Sequence, residues 1–236
     1  MKKKSILLGI AVFLLCLLSA FPVCASEECS HVWSEWIVDQ KPTIFEEGIS
    51  IQYCINCFDE NVKEIPKLKM TPSQKQVKKS VDHFFKYAKQ YNTGKLAKCF
   101  TKPSSVKLFV ENNYMASYFK KYNKRISYEL KSIKVSGKTA TVKLSYKYPD
   151  RYSVFMAAFE NAVYYQIENP NASEAQLMKY LYERICKHSK VGIDYNYGKL
   201  TLKLKKSGSS WKIASFSSKI NNLIHSNYTK AYNDYF

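Results

Sequence analysis

From residue 71 onward, the spacing of hydrophobic residues alternates between the period of a helix and the period of a strand. Apolar residues recur at helical spacing in five stretches, which predict helices near residues 72–91, 104–122, 151–168, 173–188 and 218–234. Between the second and third helices, and again between the fourth and fifth, the period changes to two. These stretches predict β-hairpins over residues 126–149 and 199–213, with a one-residue slip near 131–132. The order indicates an α+β fold with helices on one face of a bent antiparallel sheet.

The two faces of the predicted hairpins differ in chemistry. Alternate positions are aliphatic or aromatic and should face the helices, whereas the positions between them are Thr, Ser and Lys and should face water. The exposed positions include Lys143, Lys147, Lys203 and Lys205. If the hairpins are neighbours, these four lysines form one patch, to which Lys134 and Lys212 add. Lysine is a strongly hydrated point charge, so such a patch suits a diffuse polyanion.

Residues 1–25 have the pattern of a signal peptide. Three lysines precede an almost continuously apolar run over residues 6–18, and Val23-Cys24-Ala25 supplies small residues before a predicted cleavage after Ala25. The apolar run is shorter than the roughly 20 residues that a membrane span requires. We therefore expect a secreted or cell-surface protein, with an uncleaved N-terminal membrane anchor as the alternative.

The charge balance favours anionic partners. The chain has 37 basic and 19 acidic residues, and cleavage would remove three of the lysines, which leaves a net charge of +15. Outside a cell the available polyanions are wall polymers, anionic lipid headgroups and acidic glycans, so we expect no specific nucleic acid partner. The alternative is a lysine surface that only solvates the protein.

Four residues near the start of the exported part have metal-ligand spacing: Cys29-x-His31 and Cys54-x-x-Cys57. Two short pairs of sulfur and imidazole ligands can close a tetrahedral shell around structural zinc and leave no open position. A Cys54–Cys57 disulfide and inert thiols are the alternatives, since exported chains meet oxidants. A disulfide would leave Cys29 unpaired and His31 without a role, so the sequence favours zinc.

The surrounding residues 26–68 predict a small separate module. A segment this short cannot bury enough apolar surface to fold alone. We therefore expect a bound metal ion to stabilise it. Trp33 and Trp36 are interpreted as a miniature core beside the metal.

This module resembles the short zinc-ribbon-like repeats of surface proteins from gut Firmicutes. Those repeats follow the pattern C-x-H-x-W-x-x-W, P-T, G, C-x-x-C-G and I-P, and the matching residues are Cys29, His31, Trp33, Trp36, Pro42, Thr43, Gly48, Cys54, Cys57, Ile65 and Pro66. Phe58 stands where the repeats have glycine, which leaves the turn geometry open. The resemblance implies a structural metal site.

Residues 69–236 resemble the nuclear-transport-factor-two-like (cystatin-like, cone-shaped) domains. The resemblance rests on the order of elements over residues 72–217 and on Tyr118-Phe-Lys-Lys-Tyr122 running into the first hairpin. The extra helix between the hairpins departs from that pattern. The resemblance implies a core that exported bacterial proteins of unknown function use widely.

The sequence does not favour an enzyme. It has no Gly-rich phosphate loop and no H-E-x-x-H or G-x-S-x-G motif. His83 is interpreted as a boundary residue beside an apolar stripe, His188 as a helix-end cation and His225 as a residue of a helix surface. Cys99 and Cys186 are either a disulfide pair or two buried thiols.

We therefore expect a non-enzymatic, exported binding protein of the cell envelope. The alternatives are a pocket protein of the cone fold with weak catalysis, and a structural spacer. A pocket requires polar groups at helix-facing strand positions, and only Tyr128, Tyr146 and Tyr148 offer them.

Overall fold

The computed structural model describes residues 29–106 and 113–236. The predicted signal peptide, residues 1–25, lies outside these ranges. The described residues form two compact units. The smaller contains residues 29–42 and 47–66, and the larger contains residues 43–46 and 67–236.

The smaller unit is a three-stranded antiparallel sheet. Its strands are β1 (Ile37–Gln40), β2 (Gly48–Tyr53) and β3 (Glu60–Ile65), with β2 in the centre. Gly48 allows the chain to turn tightly, because a Cβ at this position would lie 2.6 Å from the Gln40 carbonyl oxygen.

The buried positions of the smaller unit carry no large apolar side chain. Every second residue along β2 and just after it is buried: Gly48, Ser50, Gln52 and Cys54. No other described residue of this unit is buried. Trp33 and Trp36 are 37% and 42% exposed, so the prediction that they form a miniature core is wrong. A unit without an apolar core requires another source of stability.

Seven α-helices form the helical layer of the larger unit in its described residues. They are α1 (Pro72–Gln90), α2 (Thr93–Ala97), α3 (Asn113–Asn123), α4 (Tyr152–Glu168), α5 (Glu174–His188), α6 (Ser218–Ile224) and α7 (Tyr228–Tyr235). Residues 107–112 of the predicted second helix lie outside the described residues. Helix α1 starts where the sequence predicts, because the Thr71 hydroxyl accepts from the Gln74 N–H and the Gln74 side chain accepts from the Thr71 N–H.

Four antiparallel strands form the sheet of the larger unit: β4 (Ser127–Ser136), β5 (Thr139–Asp150), β6 (Asp194–Ser207) and β7 (Ser210–Ile213). Their order is β4-β5-β6-β7, so the two predicted hairpins pair through β5 and β6. The register shifts between Leu130 and Ser132, at the predicted slip. These elements confirm the α+β class with helices packed on an antiparallel sheet.

The core lies between this sheet and the helices. Val77, Val81, Phe84 and Phe85 project from α1 and are fully buried. They join the inward positions of the strands, which include Ala140, Val142, Leu144, Leu200, Leu202 and Leu204. Burial of each large apolar side chain contributes about 1.5–3 kcal/mol, so this layer accounts for most of the stability of the larger unit.

The predicted helix over residues 218–234 is broken. Helix α6 ends at Ile224, and Ser226 and Asn227 adopt left-handed backbone conformations, with φ of 50° and 68°. Tertiary hydrogen bonds hold the break. Arg151 N–H donates to the Ser226 carbonyl (3.1 Å), and the Tyr148 hydroxyl donates to Asn227 Oδ1 (2.9 Å). These contacts override a local helical pattern.

Candidate functional site

The predicted metal ligands come together because a tight turn is joined to the chain that precedes β1. The turn over residues 54–58 closes when the Phe58 N–H donates to the Cys54 carbonyl (2.9 Å). The Ile55 N–H then donates to the Val32 carbonyl (2.8 Å), and Trp33 forms a bridge with Cys54. The Cys54–Cys57 pair is thereby held against the Cys29–His31 pair.

The four ligand atoms have the spacing of a metal shell. All four lie within 4.8 Å of one another. Cys29 Sγ is 3.7 Å from Cys54 Sγ, and Cys57 Sγ is 3.5 Å from His31 Nδ1. Tetrahedral zinc with Zn–S near 2.3 Å and Zn–N near 2.0 Å would give edges of about 3.8 Å and about 3.5 Å. Cys29, His31, Cys54 and Cys57 can therefore hold a metal ion, and the donor set fits zinc.

The electrostatics of the cluster favour a thiolate at Cys54. Burial alone would raise the pKa of the Cys54 thiol, but hydrogen bonds from the Cys57 backbone, His31 and the Asn56 backbone lower it to about 6. A thiolate is the form of cysteine that binds metals. The imidazole of His31 also has a carboxylate on its far side, with Asp59 Oδ2 3.9 Å from Nε2.

The alternative disulfides do not form in this structure. Cys29, Cys54, Cys57, Cys99 and Cys186 are all free. Cys99 is half-buried and Cys186 is exposed, so neither the disulfide pair nor a pair of buried thiols describes them.

The backbone of Phe58 shows the geometry of the turn over residues 54–58, which the sequence left open. Its φ is 63°, in the left-handed region that glycine adopts freely, and its side chain is 78% exposed. The backbone therefore keeps the shape that a glycine would give, at a conformational cost.

The second predicted site, the lysine face, is the outer surface of strands β4–β7. In the register, Lys143 lies opposite Thr201, Lys203 opposite Thr141 and Lys205 opposite Thr139. Lysines occupy seven outward positions of these strands: Lys134, Lys143, Lys147, Lys199, Lys203, Lys205 and Lys212. The only carboxylate at the outward strand positions is Glu129, and it pairs with Lys131 at 2.7 Å.

Not all of these lysines are equally available. Lys143, Lys203 and Lys205 are exposed, whereas Lys147 is half-buried, with its ammonium 4.0 Å from the centre of the Tyr195 ring and 5.3 Å from that of Tyr197. Lys205 lies directly opposite Lys212. Like charges at opposite strand positions repel, so a bound anion would relieve this pair.

A polar pocket of 320 Å³ opens at the end of β5 and β6, where these strands meet α6 and α7. It is lined by three tyrosines, three asparagines, two lysines and Asp150. Two of the tyrosines, Tyr146 and Tyr148, are among the three helix-facing tyrosines that the sequence identifies. The remaining helix-facing tyrosine, Tyr128, does not line this pocket. Its ring stacks on that of Phe85, and its hydroxyl donates to Asp82 Oδ1 at 2.6 Å.

One prediction about the histidines is wrong. His225 is fully buried instead of lying on a helix surface, because Nδ1 is 2.6 Å from Asn221 Oδ1 and Nε2 is 3.0 Å from the Tyr91 hydroxyl. His83 is exposed on α1, and His188 ends α5. The sequence analysis also missed Asn196, Asn222 and Asn227 of the pocket. No spacing connects them, since each lies on a different element or turn.

Comparison with solved structures gives a distant likeness. No protein-family model matches the sequence, and no curated protein matches it. The fold is similar to the crystal structure of a Bacillus subtilis protein described as a "putative lipoprotein" (YcdA). The TM-score is 0.37 and the identity 14%, over 77% of this chain and 68% of that one. Within residues 29–106 and 113–236, no helix has the length and apolar character needed to cross a membrane.

Proposed function

We propose that this is an exported, non-enzymatic binding protein of the cell envelope, whose lysine face attaches to anionic wall polymer or lipid headgroups. The observation that carries the proposal is the concentration of seven lysines and one neutralised carboxylate on the outer face of one sheet. Neighbouring strands are about 4.8 Å apart, so cross-strand neighbours such as Lys205 and Lys212 lie within one Debye length of about 8 Å. An extended polyanion can contact several of them at once, and salt screens the attraction.

We further propose that Cys29, His31, Cys54 and Cys57 hold structural zinc in a zinc-ribbon-like module. The ligand distances and the absence of a buried apolar side chain other than Cys54 in the smaller unit support this role. Four protein ligands leave no open position, so the ion would stabilise the fold without catalysing a reaction. The larger unit is, in this proposal, a nuclear-transport-factor-two-like domain, and residues 1–25 direct export, with an N-terminal anchor as the alternative.

The lysine face is tested by cosedimentation with two anionic materials. One is phosphate-rich cell-wall polymer and the other is vesicles of anionic phospholipid, so the two arms distinguish the possible sources of negative charge. Lys143, Lys147, Lys203 and Lys205 are changed together to Gln. Each lysine near an anionic surface contributes about 1 kcal/mol, so the loss of four should weaken binding by a factor of about 100 to 1,000.

A charge-matched control separates the lysine face from net charge alone. Lys75, Lys79, Lys86 and Lys120 are exposed on the helices, and their replacement by Gln removes the same four charges. The control should bind nearly as tightly as the wild type, and all binding should fall steeply as salt is raised. Equal retention of the two variants, or retention that ignores salt, would contradict the proposal.

A further inference from the structure

The polar pocket is distinct from the lysine face. The lysines project from the outward strand positions, whereas Tyr146 and Tyr148 occupy inward positions, on the side of the sheet that carries the helices. Every side chain that lines the pocket carries a hydroxyl, amide, carboxylate or ammonium group, and none is aliphatic. A lining of this kind does not suit a lipid or another apolar ligand.

One wall of the pocket is rigid and buried. Tyr148 is 3% exposed and Asn227 is 4% exposed. The Tyr148 hydroxyl donates to Asn227 Oδ1, which fixes the orientation of the amide and leaves Asn227 Nδ2 with no partner among the described residues. A fixed donor that is not used within the protein is available to a ligand.

The backbone is strained at this wall. Ser226 and Asn227 are consecutive non-glycine residues with left-handed φ values. This conformation costs Ser226 on the order of 1–3 kcal/mol, whereas asparagine adopts it more readily. The strain persists because Arg151 and Tyr148 hold both residues in place. The break between α6 and α7 is what places the Asn227 amide in the pocket. Strain of this kind concentrates at ligand-binding positions.

Other residues that line the pocket offer a fixed acceptor and uncommitted donors. Asp150 Oδ1 accepts from the Tyr152 N–H (3.0 Å), and Oδ2 accepts from Asn196 Nδ2 (3.5 Å). From α6, Asn222 and Lys219 add an amide and an ammonium for which the structure gives no side-chain partner among the described residues. The other lysine of the pocket, Lys230, already pairs with Asp234 at 3.4 Å.

The charges and rings define the class of ligand. One carboxylate and one unpaired lysine do not match a polyphosphate, which requires several free cations. The half-buried ring of Tyr146, 5.7 Å from the buried ring of Tyr148, gives the pocket aromatic surface among its polar groups. A sugar ring has both requirements: hydroxyls that donate and accept, and C–H groups that pack on aromatic rings. The volume of 320 Å³ lies at the lower end for small-molecule sites, which suits one ring.

We propose that this pocket binds a single sugar unit, with Tyr146, Asn222 and the Asn227 amide as hydrogen-bond donors and Asp150 as an acceptor. Tyr146 reaches the pocket because its partner across the strands is Gly198, where a Cβ would lie 2.5 Å from the Tyr146 hydroxyl. The site is independent of the attachment proposed for the lysine face.

The proposal is tested by saturation-transfer NMR on the full protein with glucose, galactose, N-acetylglucosamine and glucuronate as probes. Two pocket variants, Tyr146→Phe and Asn222→Leu, are compared with matched changes of exposed residues outside the pocket, Tyr164→Phe and Asn171→Leu. At least one sugar should bind the wild type. Removal of one neutral hydrogen bond should weaken the binding of that sugar about fivefold. The control variants should bind it as tightly as the wild type does.

Three outcomes decide the proposal. Binding that weakens in Tyr146→Phe and persists in Tyr164→Phe supports it. Tyr146→Phe keeps the ring and decides the test even if Asn222→Leu fails to fold. No saturation transfer from any of the four sugars, or equal transfer in pocket and control variants, overturns it. The variant with four lysines changed to Gln on the lysine face should bind the sugar normally, which separates this result from envelope attachment.

Discussion

Phe58 occupies a backbone conformation that costs an L-residue about 1 kcal/mol and glycine almost nothing. We expect Phe58→Gly to stabilise the metal-bound module by about 1 kcal/mol, which corresponds to about fivefold tighter zinc binding in competition with a chelator. The exposed Ile55 of the same turn does not have a positive φ and provides the control. Ile55→Gly should weaken zinc binding, and weaker binding by Phe58→Gly would contradict the prediction.

His225 should make the larger unit less stable in mild acid. Burial lowers its pKa to about 3, against a contribution from the Asn221 backbone that raises it. The unfolded chain therefore takes up a proton near pH 6.5 that the folded chain does not, so the stability is complete above pH 6.5 and is lost as the pH falls toward 3. Between pH 7.5 and 5.5 the free energy of unfolding should fall by about 1.4 kcal/mol from this group.

The measurement is urea unfolding at the two pH values. His225→Gln should lose this part of the pH dependence, whereas His83→Gln, at an exposed position on α1, should retain it. An unchanged pH dependence in His225→Gln would show that other groups are responsible.

At the scale of elements, Gly198 of β6 leaves room for the ring of Tyr146, its partner on β5. A Cβ at position 198 would lie 2.5 Å from the Tyr146 hydroxyl and 2.7 Å from its ring, so Gly198→Ala should destabilise the larger unit by about 1–3 kcal/mol. The cost should shrink in a Tyr146→Leu background, because the ring is then absent. Thermal unfolding of the two single variants and the double variant measures this coupling, and additive effects would contradict it.

The elements themselves were largely predictable from the sequence. The helix starts at Thr71 and Ser173 follow from capping boxes, and the slip in β4 follows from a break in its alternation. The break at residues 225–227 was not predictable, because the groups that hold it, including Tyr148 and Arg151, lie more than 70 residues earlier in the chain.

For the candidate sites too, features that depend on local sequence were predictable and those that depend on distant contacts were not. The Cys/His cluster was predictable because each of its two pairs lies within one short local segment, and the lysine face was predictable because strand periodicity fixes which residues share a face. The pocket was missed as an assembly, since Asp150, Asn196 and Asn222 meet only after the chain has folded. The size of Trp33 and Trp36 predicts burial, but both are exposed because the smaller unit has too little chain to cover them.

At the scale of the whole molecule, the two units should respond separately to loss of the metal. We expect about one zinc per chain, and structural zinc contributes on the order of 10 kcal/mol of apparent folding free energy. Cys54→Ser should therefore unfold the smaller unit and leave the larger unit folded, because the apolar core of the larger unit does not include the metal ligands. Metal analysis and amide hydrogen exchange measure the two effects.

Cys99→Ser, which changes a half-buried cysteine outside the metal cluster, is the control and should retain the zinc. Purified protein without zinc and with a Cys54–Cys57 disulfide would contradict the structural-zinc proposal. Loss of exchange protection throughout residues 67–236 in Cys54→Ser would contradict the independence of the two units.

The polar buried positions of the smaller unit have a calorimetric consequence. The heat capacity of unfolding rises with newly exposed apolar surface and falls with newly exposed polar surface. Strand β2 buries Gly48, Ser50 and Gln52, so unfolding of this unit uncovers little apolar surface. The enthalpy of removing the metal with a chelator should therefore change little with temperature, whereas the enthalpy of melting the larger unit should rise steeply with it.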